Sequence, residues 1–349
     1  MPPFRRTKLI CMTVVLAGAS GLLPSVGCGS SFRRGSNAPA PVEPARRLEI
    51  VIEPTAAQEQ VLVDATTKVD AGEYETALGL FNDLLEENPT LVDAHIGIGR
   101  TYEKIGDLAK AAPPYARAAA LDADNYDAQV GLARVLSGLG RWSEAVRAFH
   151  RALVVRPDSL EANAGMASAY LQLNEAHDAL TFAEKAVEIA PNDGEARVRL
   201  AVSLEHVGRF ADAIKAYETA LELVEPRDDV LTSLVNLYCR EKRYIEAINT
   251  ALELVHLQPT ANAYERLGWA YFRTADYARS AEAYTKGAEI DPTHWPSLNG
   301  VATNALNRWL QSGRADGAAR LEARAAFQNS LKMNPDQPKV VAIMTKYRP

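Results

Sequence analysis

One interval governs most of this chain. Ala77, Ala111, Ala145, Ala179, Ala213 and Ala247 stand 34 residues apart each time. Prolines keep nearly the same beat: Pro89, Pro157, Pro191, Pro226, Pro259 and Pro292 are separated by 68, 34, 35, 33 and 33 residues, with Ala123 in the missing slot. A fixed period of roughly 20–50 residues marks an array of supersecondary units, none of which can bury its own apolar face alone. Inside each unit apolar residues recur at three and four, the helical period. A turn signal splits the unit in two, as in AGEYETA (71–77), IGDLAKA (105–111), LGRWSEA (139–145) and VGRFADA (207–213). Glycine closes the first helix and proline stops the second. The period therefore predicts an all-α chain of stacked helical hairpins.

The clearest unit, ANAYERLGWAYFRTADYARSAEAYTKGAEIDP (261–292), places Leu267, Gly268, Tyr271, Tyr277, Tyr284 and Pro292 in a recognisable order. It resembles the tetratricopeptide repeat, whose consensus has L-G-x-x-Y in the first helix, G-x-Y/F-x-x-A at the turn, and a later aromatic, Ala and Pro. The resemblance implies a right-handed superhelical solenoid of antiparallel helix pairs. It covers residues 55–337, with repeats at 58–91, 92–125, 126–159, 160–193, 194–227, 228–260 and 261–294 and a degenerate eighth at 295–337. Small residues should let paired helices approach, while Tyr102, Tyr115, Phe149, Tyr170, Tyr217, Tyr238 and Tyr284 fill the gaps between repeats.

Three departures stand out. Pro113 and Pro114 fall inside the second helix of repeat two, where an interior proline costs ~3 kcal/mol, so that helix is expected to distort or restart. Repeat eight carries extra residues within LNRWLQSGRADGAARLE (306–322), which should lengthen its hairpin and expose Trp309. In the tail, 338–349, Val340, Met344 and Tyr347 share one helical face and suit a terminal cap.

The N-terminus reads as an address. Arg5, Arg6 and Lys8 precede an apolar stretch of residues 9–23, shorter than the ~20 residues a spanning helix needs and interrupted by Gly18 and Gly21. Residues 1–27 thus read as an export signal. Ser25-Val26-Gly27-Cys28 resembles the lipobox of bacterial lipoproteins, departing from it where Ser25 replaces the usual Leu. That resemblance implies lipidation of Cys28, and Gly29 in place of Asp implies the outer membrane, facing the periplasm. The alternative is ordinary signal cleavage at the same bond, leaving Cys28 unmodified and the protein soluble in the periplasm. Residues 28–54, with Pro39, Pro41 and Pro44 among Gly, Ser and Ala, read as a tether ending in a short extended lead-in.

Catalytic chemistry has no foothold here. No phosphate-binding G-x-x-x-x-G-K-[ST] loop and no G-x-S-x-G elbow occurs, and the G-x-G at 97–99 lies in a helical stretch. Cys239 is the single cysteine after residue 28, and the histidines are scattered, which excludes a disulfide framework and offers no metal site. Residues 1–48 sum to +6 and the rest to −12, an acidic body unsuited to nucleic acid. The chain reads as a non-enzyme without cofactor, metal or nucleic-acid partner.

A helical solenoid offers a groove. In the resembled family the second, fifth, ninth, twelfth and thirteenth positions of each first helix line it. Carried over, these give Asp93, Ile96, Arg100 and Lys104; Asp127, Val130 and Arg134; Val202, Glu205 and His206; Thr232, Asn236, Cys239 and Arg240; and Glu265, Trp269, Phe272 and Arg273. Trp and Arg dominate binding hot spots, so Asn236, Arg240, Trp269, Phe272 and Arg273 are the leading candidates for a peptide or protein contact, with Arg100, Lys104 and Arg134 further along. The bland alternative is that Trp269 packs and the arginines pair internally. The sixth-position residues Gly97, Gly131, Gly165, Arg199, Ser233 and Arg266 do not reproduce the family's Asn/Lys clamp for a C-terminal carboxylate. Two functions follow: a scaffold of the cell envelope, similar in architecture to lipoproteins that assist assembly of envelope machines, or a module binding peptidoglycan or another glycan.

Overall fold

The computed structural model describes residues 51–349. The export segment, Cys28 and most of the tether lie outside the described residues. Those residues form seventeen α-helices and no strand. Eight antiparallel pairs follow one another: α1 (Ala56–Asp70) with α2 (Tyr74–Glu87), α3 (Val92–Ile105) with α4 (Leu108–Leu121), α5 (Tyr126–Gly138) with α6 (Trp142–Val155), α7 (Leu160–Gln172) with α8 (Ala176–Ile189), α9 (Gly194–Val207) with α10 (Phe210–Leu221), α11 (Asp228–Arg240) with α12 (Tyr244–Leu257), α13 (Ala261–Arg273) with α14 (Tyr277–Ile290), and α15 (Trp295–Gln311) with α16 (Gly317–Met333). A final helix, α17 (Pro338–Tyr347), closes the array. Each helix packs on its sequence neighbours, and most first helices also touch the next first helix. The fold is an all-α solenoid, with its core strung along the array in successive clusters.

Local chemistry sets the helix boundaries. Thr55, Asn125, Ser159, Asp193 and Thr260 cap first helices by accepting a hydrogen bond from a backbone N–H of the first turn. Between the paired helices the chain needs a left-handed residue. Gly72, Gly106, Gly140 and Gly208 supply it, and where glycine is missing Asn174, Lys242 and Ala275 take φ of 60°, 61° and 62°.

The repeats are joined by a slot between the second helix of one and the first helix of the next. Phe81, Tyr115, Phe149 and Tyr284 each press a buried ring against a glycine sixteen residues on. A Cβ at Gly97, Gly131, Gly165 or Gly300 would lie 2.3, 2.3, 2.2 or 2.0 Å from the facing ring. In the two junctions where the ring is replaced by a fully buried alanine, Ala183 and Ala251, the facing glycine is replaced by Arg199 and Arg266. The large side chain thus stands on one side of the junction or on the other, and in the second of these pairs the Arg266 Nε is buried. Of the expected gap-fillers, Tyr115, Phe149, Tyr217, Tyr238 and Tyr284 are buried, while Tyr102 and Tyr170 are half-buried at the edge of their clusters.

Two expectations need correction. α4 runs unbroken through Pro113 and Pro114. The carbonyls that lose their donors belong to Ala109 and Lys110, on the solvent side where water serves them, and Pro113 itself is exposed. Burial of Ala111, Ala112, Tyr115, Ala118 and Ala119 holds the helix together across the site. Trp309, expected to be exposed, is only 5% exposed. The extra residues lengthen both helices of the last pair to 17 residues each. Trp309 then lies among Leu306, Ala319, Ala323, Phe327 and Val340 within the longer hairpin. Met344 and Tyr347 of α17 pack on the same cluster, half-buried.

Candidate binding groove

The first helices form a continuous bank, and the charged side chains on it fall into two groups. At the start of the array α1, α3 and α5 surround a cavity of about 510 Å³. Leu62, Val63, Ile96 and Gly97 give it an apolar lining, while Glu59, Asp70, Asp93 and Asp127 supply carboxylates and Arg100 a single cation. Val63 is 60% exposed there, an apolar side chain turned to the open space. Burial pushes the Asp93 carboxyl above its ordinary value, and the neighbouring Asp127 and Asp122 carboxylates push it further. Arg100 and Lys104 are exposed, and neither forms an ion pair among the described residues. Pro54 also lines the cavity, because Ile52 is pinned to the first repeat: its N–H donates to Thr90 Oγ1 at 3.1 Å and its carbonyl accepts from Asn88 Nδ2 at 3.0 Å.

Arg134 is differently placed. Its Nε and Nη2 donate to the two oxygens of Glu103 at 2.6 and 2.9 Å, and its Nη1 donates to Glu161. Tyr115 donates its hydroxyl to the same Glu103. One guanidinium thus ties three consecutive first helices, α3, α5 and α7. Burial pushes Glu103 up, but the hydrogen bonds from Arg134 and Tyr115 outweigh it and hold the carboxyl below its ordinary value.

Farther along, Arg240 stacks on Phe210, its guanidinium carbon 3.7 Å from the ring centre. Arg273 donates from Nε and Nη2 to the Tyr244 hydroxyl at 3.1 and 2.7 Å. Phe210 and Tyr244 each open the second helix of the preceding repeat. The two arginines are therefore clasps between repeats. Trp269 is half-buried against the core, with Arg273 5.8 Å from its ring, and Phe272 meets Tyr277 edge-on at 5.3 Å. Asn236 is exposed and engages no partner among the described residues. The structure brings Trp269 and Arg273 together, places Arg240 on a separate clasp, and puts Arg100 at a cavity in the other half of the array.

Of the carboxylates at that cavity, Asp93 and Asp127 were among the expected groove positions, while Glu59 and Asp70 were not. The second position of the first helix is acidic in six successive repeats: Glu59, Asp93, Asp127, Glu161, Glu195 and Asp229. Glu265, expected to line the groove, is instead buried on α13, 6% exposed. Among the described residues no group of three or more His, Cys, Asp or Glu side chains is arranged to hold a metal ion. Nor is any described helix long and apolar enough to cross a membrane.

Comparison with known proteins agrees with this architecture. Family models described as tetratricopeptide repeat match residues 63–128, 130–194, 104–154, 196–231 and 261–294. No curated protein matches the sequence. Among solved structures, pilF of Pseudomonas aeruginosa superimposes with a TM-score of 0.51 at 19% identity, over 58% of this chain and 92% of that one. A tetratricopeptide repeat protein from Parabacteroides merdae gives 0.50 at 18% identity, over 72% of this chain and 99% of that one. The Cut9–Hcn1 hetero-tetramer of the APC/C gives 0.50 at 16% identity, over 78% of this chain and 52% of that one. At these identities the likeness is one of fold.

Proposed function

We propose a scaffold function from one premise: this chain belongs to the tetratricopeptide repeat family, whose models cover more than half of it. It binds a segment of a partner protein along the bank of first helices and catalyses no reaction of its own. The observation that carries this reading is the cavity between α1, α3 and α5, with apolar side chains within it and carboxylates around it. A segment that presents Lys or Arg beside an apolar side chain matches both features. A glycan needs a flat, open aromatic face. Trp269 is half-buried beside Arg273 and Phe272 is turned edge-on to Tyr277, which favours protein over sugar.

Extended peptides alternating Leu with Lys, Glu or Gln test the reading by titration calorimetry. The Lys series should bind, weaken with added salt, and lose about tenfold in affinity to a D93N/D127N variant, each exposed charge contributing up to ~1 kcal/mol. Equal binding by the three series, or none, would remove this cavity as the contact.

Export and lipid anchoring are part of the same proposal, supported by the sequence of residues 1–28. The anchor would hold the array at an outer-membrane surface facing the periplasm, where partner proteins of an envelope assembly gather. Replacing Cys28 with Ala should move the protein from the membrane fraction to the soluble one. A variant that stays with the membrane, beside a wild type whose Cys28 carries no lipid by mass spectrometry, would overturn the anchor.

A further inference from the structure

The cavity between α1, α3 and α5 has an apolar floor of Leu62, Val63 and Ile96, and Val63 is left 60% exposed on it. Beside that floor runs a row of carboxylates at one fixed position of the first helices. Farther along the array the row is answered from within: Arg134 holds Glu161, and Arg227 holds Glu195 and Asp229. Glu59, Asp93 and Asp127, the three that line the cavity, have no ion-pair partner among the described residues. Arg100, two turns beyond Asp93 on α3, is the single cation of the lining. It repels a basic residue there and so confines a partner's cations to the Asp93 end of the floor.

The repeat fixes the step of this row. α1 touches α3 and α3 touches α5. Helices in contact lie about 8–10 Å apart axis to axis, so equivalent side chains on them recur at roughly that interval. A β-strand laid across the row presents one face at a step of about 7 Å, and every fourth residue at about 13 Å. Its residues three apart point to opposite faces. A polyproline II helix has three residues per turn and rises ~3.1 Å per residue, so every third side chain falls on one face at a step of ~9 Å. That step matches the row. Polyproline II also needs no sheet edge to pair with, and the described residues contain no strand that could offer one.

We propose that the cavity takes a partner segment in the polyproline II conformation, with Lys or Arg at every third residue and apolar residues between. Each cation meets one of Glu59, Asp93 and Asp127, and a neighbouring face of the segment lays its apolar side chains on Leu62, Val63 and Ile96. This rests on the cavity reading above and adds the register to it. The later repeats cannot take the same segment in the same way, because their carboxylates are already engaged by Arg134 and Arg227.

Peptides of one length and one composition of Lys, Leu and Pro, with their lysines placed two, three or four residues apart, test the register by titration calorimetry with the whole protein. The peptide with lysines three apart should bind about fivefold or more tighter than the other two. Its lysines, replaced one at a time by Gln and measured against E59Q, D93N and D127N, should each couple to a different carboxylate. Either change alone should cost about fivefold, and the matched pair little more than one of them. E195Q, whose carboxylate Arg227 already holds, should bind as the wild type does. Equal affinity at all three spacings, a preference for two or four, or a loss in E195Q as large as in D93N would overturn the register while leaving the cavity as a contact. Binding by none of the peptides would overturn the cavity reading with it.

Discussion

Replacing Phe149 with alanine should destabilise the array by about 3–5 kcal/mol, and replacing Gly165 with arginine should destabilise it too, yet the two together should do less harm than their sum. Phe149 is 3% exposed, and a Cβ at Gly165 would lie 2.2 Å from its ring. Alone, F149A leaves a ring-sized void, while G165R forces a side chain into an occupied slot at ~1–3 kcal/mol or more. The double variant recreates the residue pair that the chain itself carries at the equivalent positions one repeat later, Ala183 and Arg199. Directly contacting residues couple by roughly 0.5–3 kcal/mol, and here the coupling should fall in the upper part of that range and favour the double. Urea unfolding of the wild type, both singles and the double, followed by circular dichroism, supplies the cycle. A strictly additive double variant would show that ring and arginine do not share one slot.

That slot was not legible in the sequence, although every residue of it was. The sixth-position residues Gly97, Gly131, Gly165, Arg199, Ser233 and Arg266 were read for what they might offer a ligand. Their meaning lies instead in a partner sixteen residues upstream, or fifteen for Arg266, and only the stacking of hairpins puts the two face to face. The helical hairpin was legible because it is local: the three-and-four spacing, the turn residues and the closing proline all act within one unit. The left-handed turn residues Asn174, Lys242 and Ala275 show how tertiary packing holds a turn that composition alone does not announce. The candidate site divides along the same line. That first helices carry the candidate groove residues came from the family resemblance. Whether an arginine on it is free depends on the rotation between repeats, which the period does not encode. Arg134 bridges Glu103 to Glu161, and Arg240 and Arg273 reach back to Phe210 and Tyr244, while Arg100 at the cavity makes no ion pair among the described residues. Residue type identified all four, and only geometry separated the clasps from the available charge.

The same reasoning makes Trp309 a structural residue. A W309A variant should lose about 3–5 kcal/mol, since the indole is 5% exposed and truncating a buried Trp removes its contacts and leaves a cavity. The loss should concentrate at the end of the array, because Trp309 shares its cluster with Phe327 of α16 and Val340 of α17. Ala319 and Ala323 supply too little side chain to close the gap, and the Arg314 and Arg320 guanidiniums 5.4 and 5.6 Å from the ring lose their aromatic partner. In an array whose repeats are stabilised chiefly by their neighbours, α17 and the last pair should open first while α1 to α8 keep their exchange protection. W269A offers the contrast. Its indole is half-buried and should give a smaller loss, so a binding defect in that variant could be attributed to the groove. If W309A instead melts with the wild type and α17 keeps its protection, the indole does not hold the cap. The lengthened last hairpin would then have to be read as a surface built for a partner.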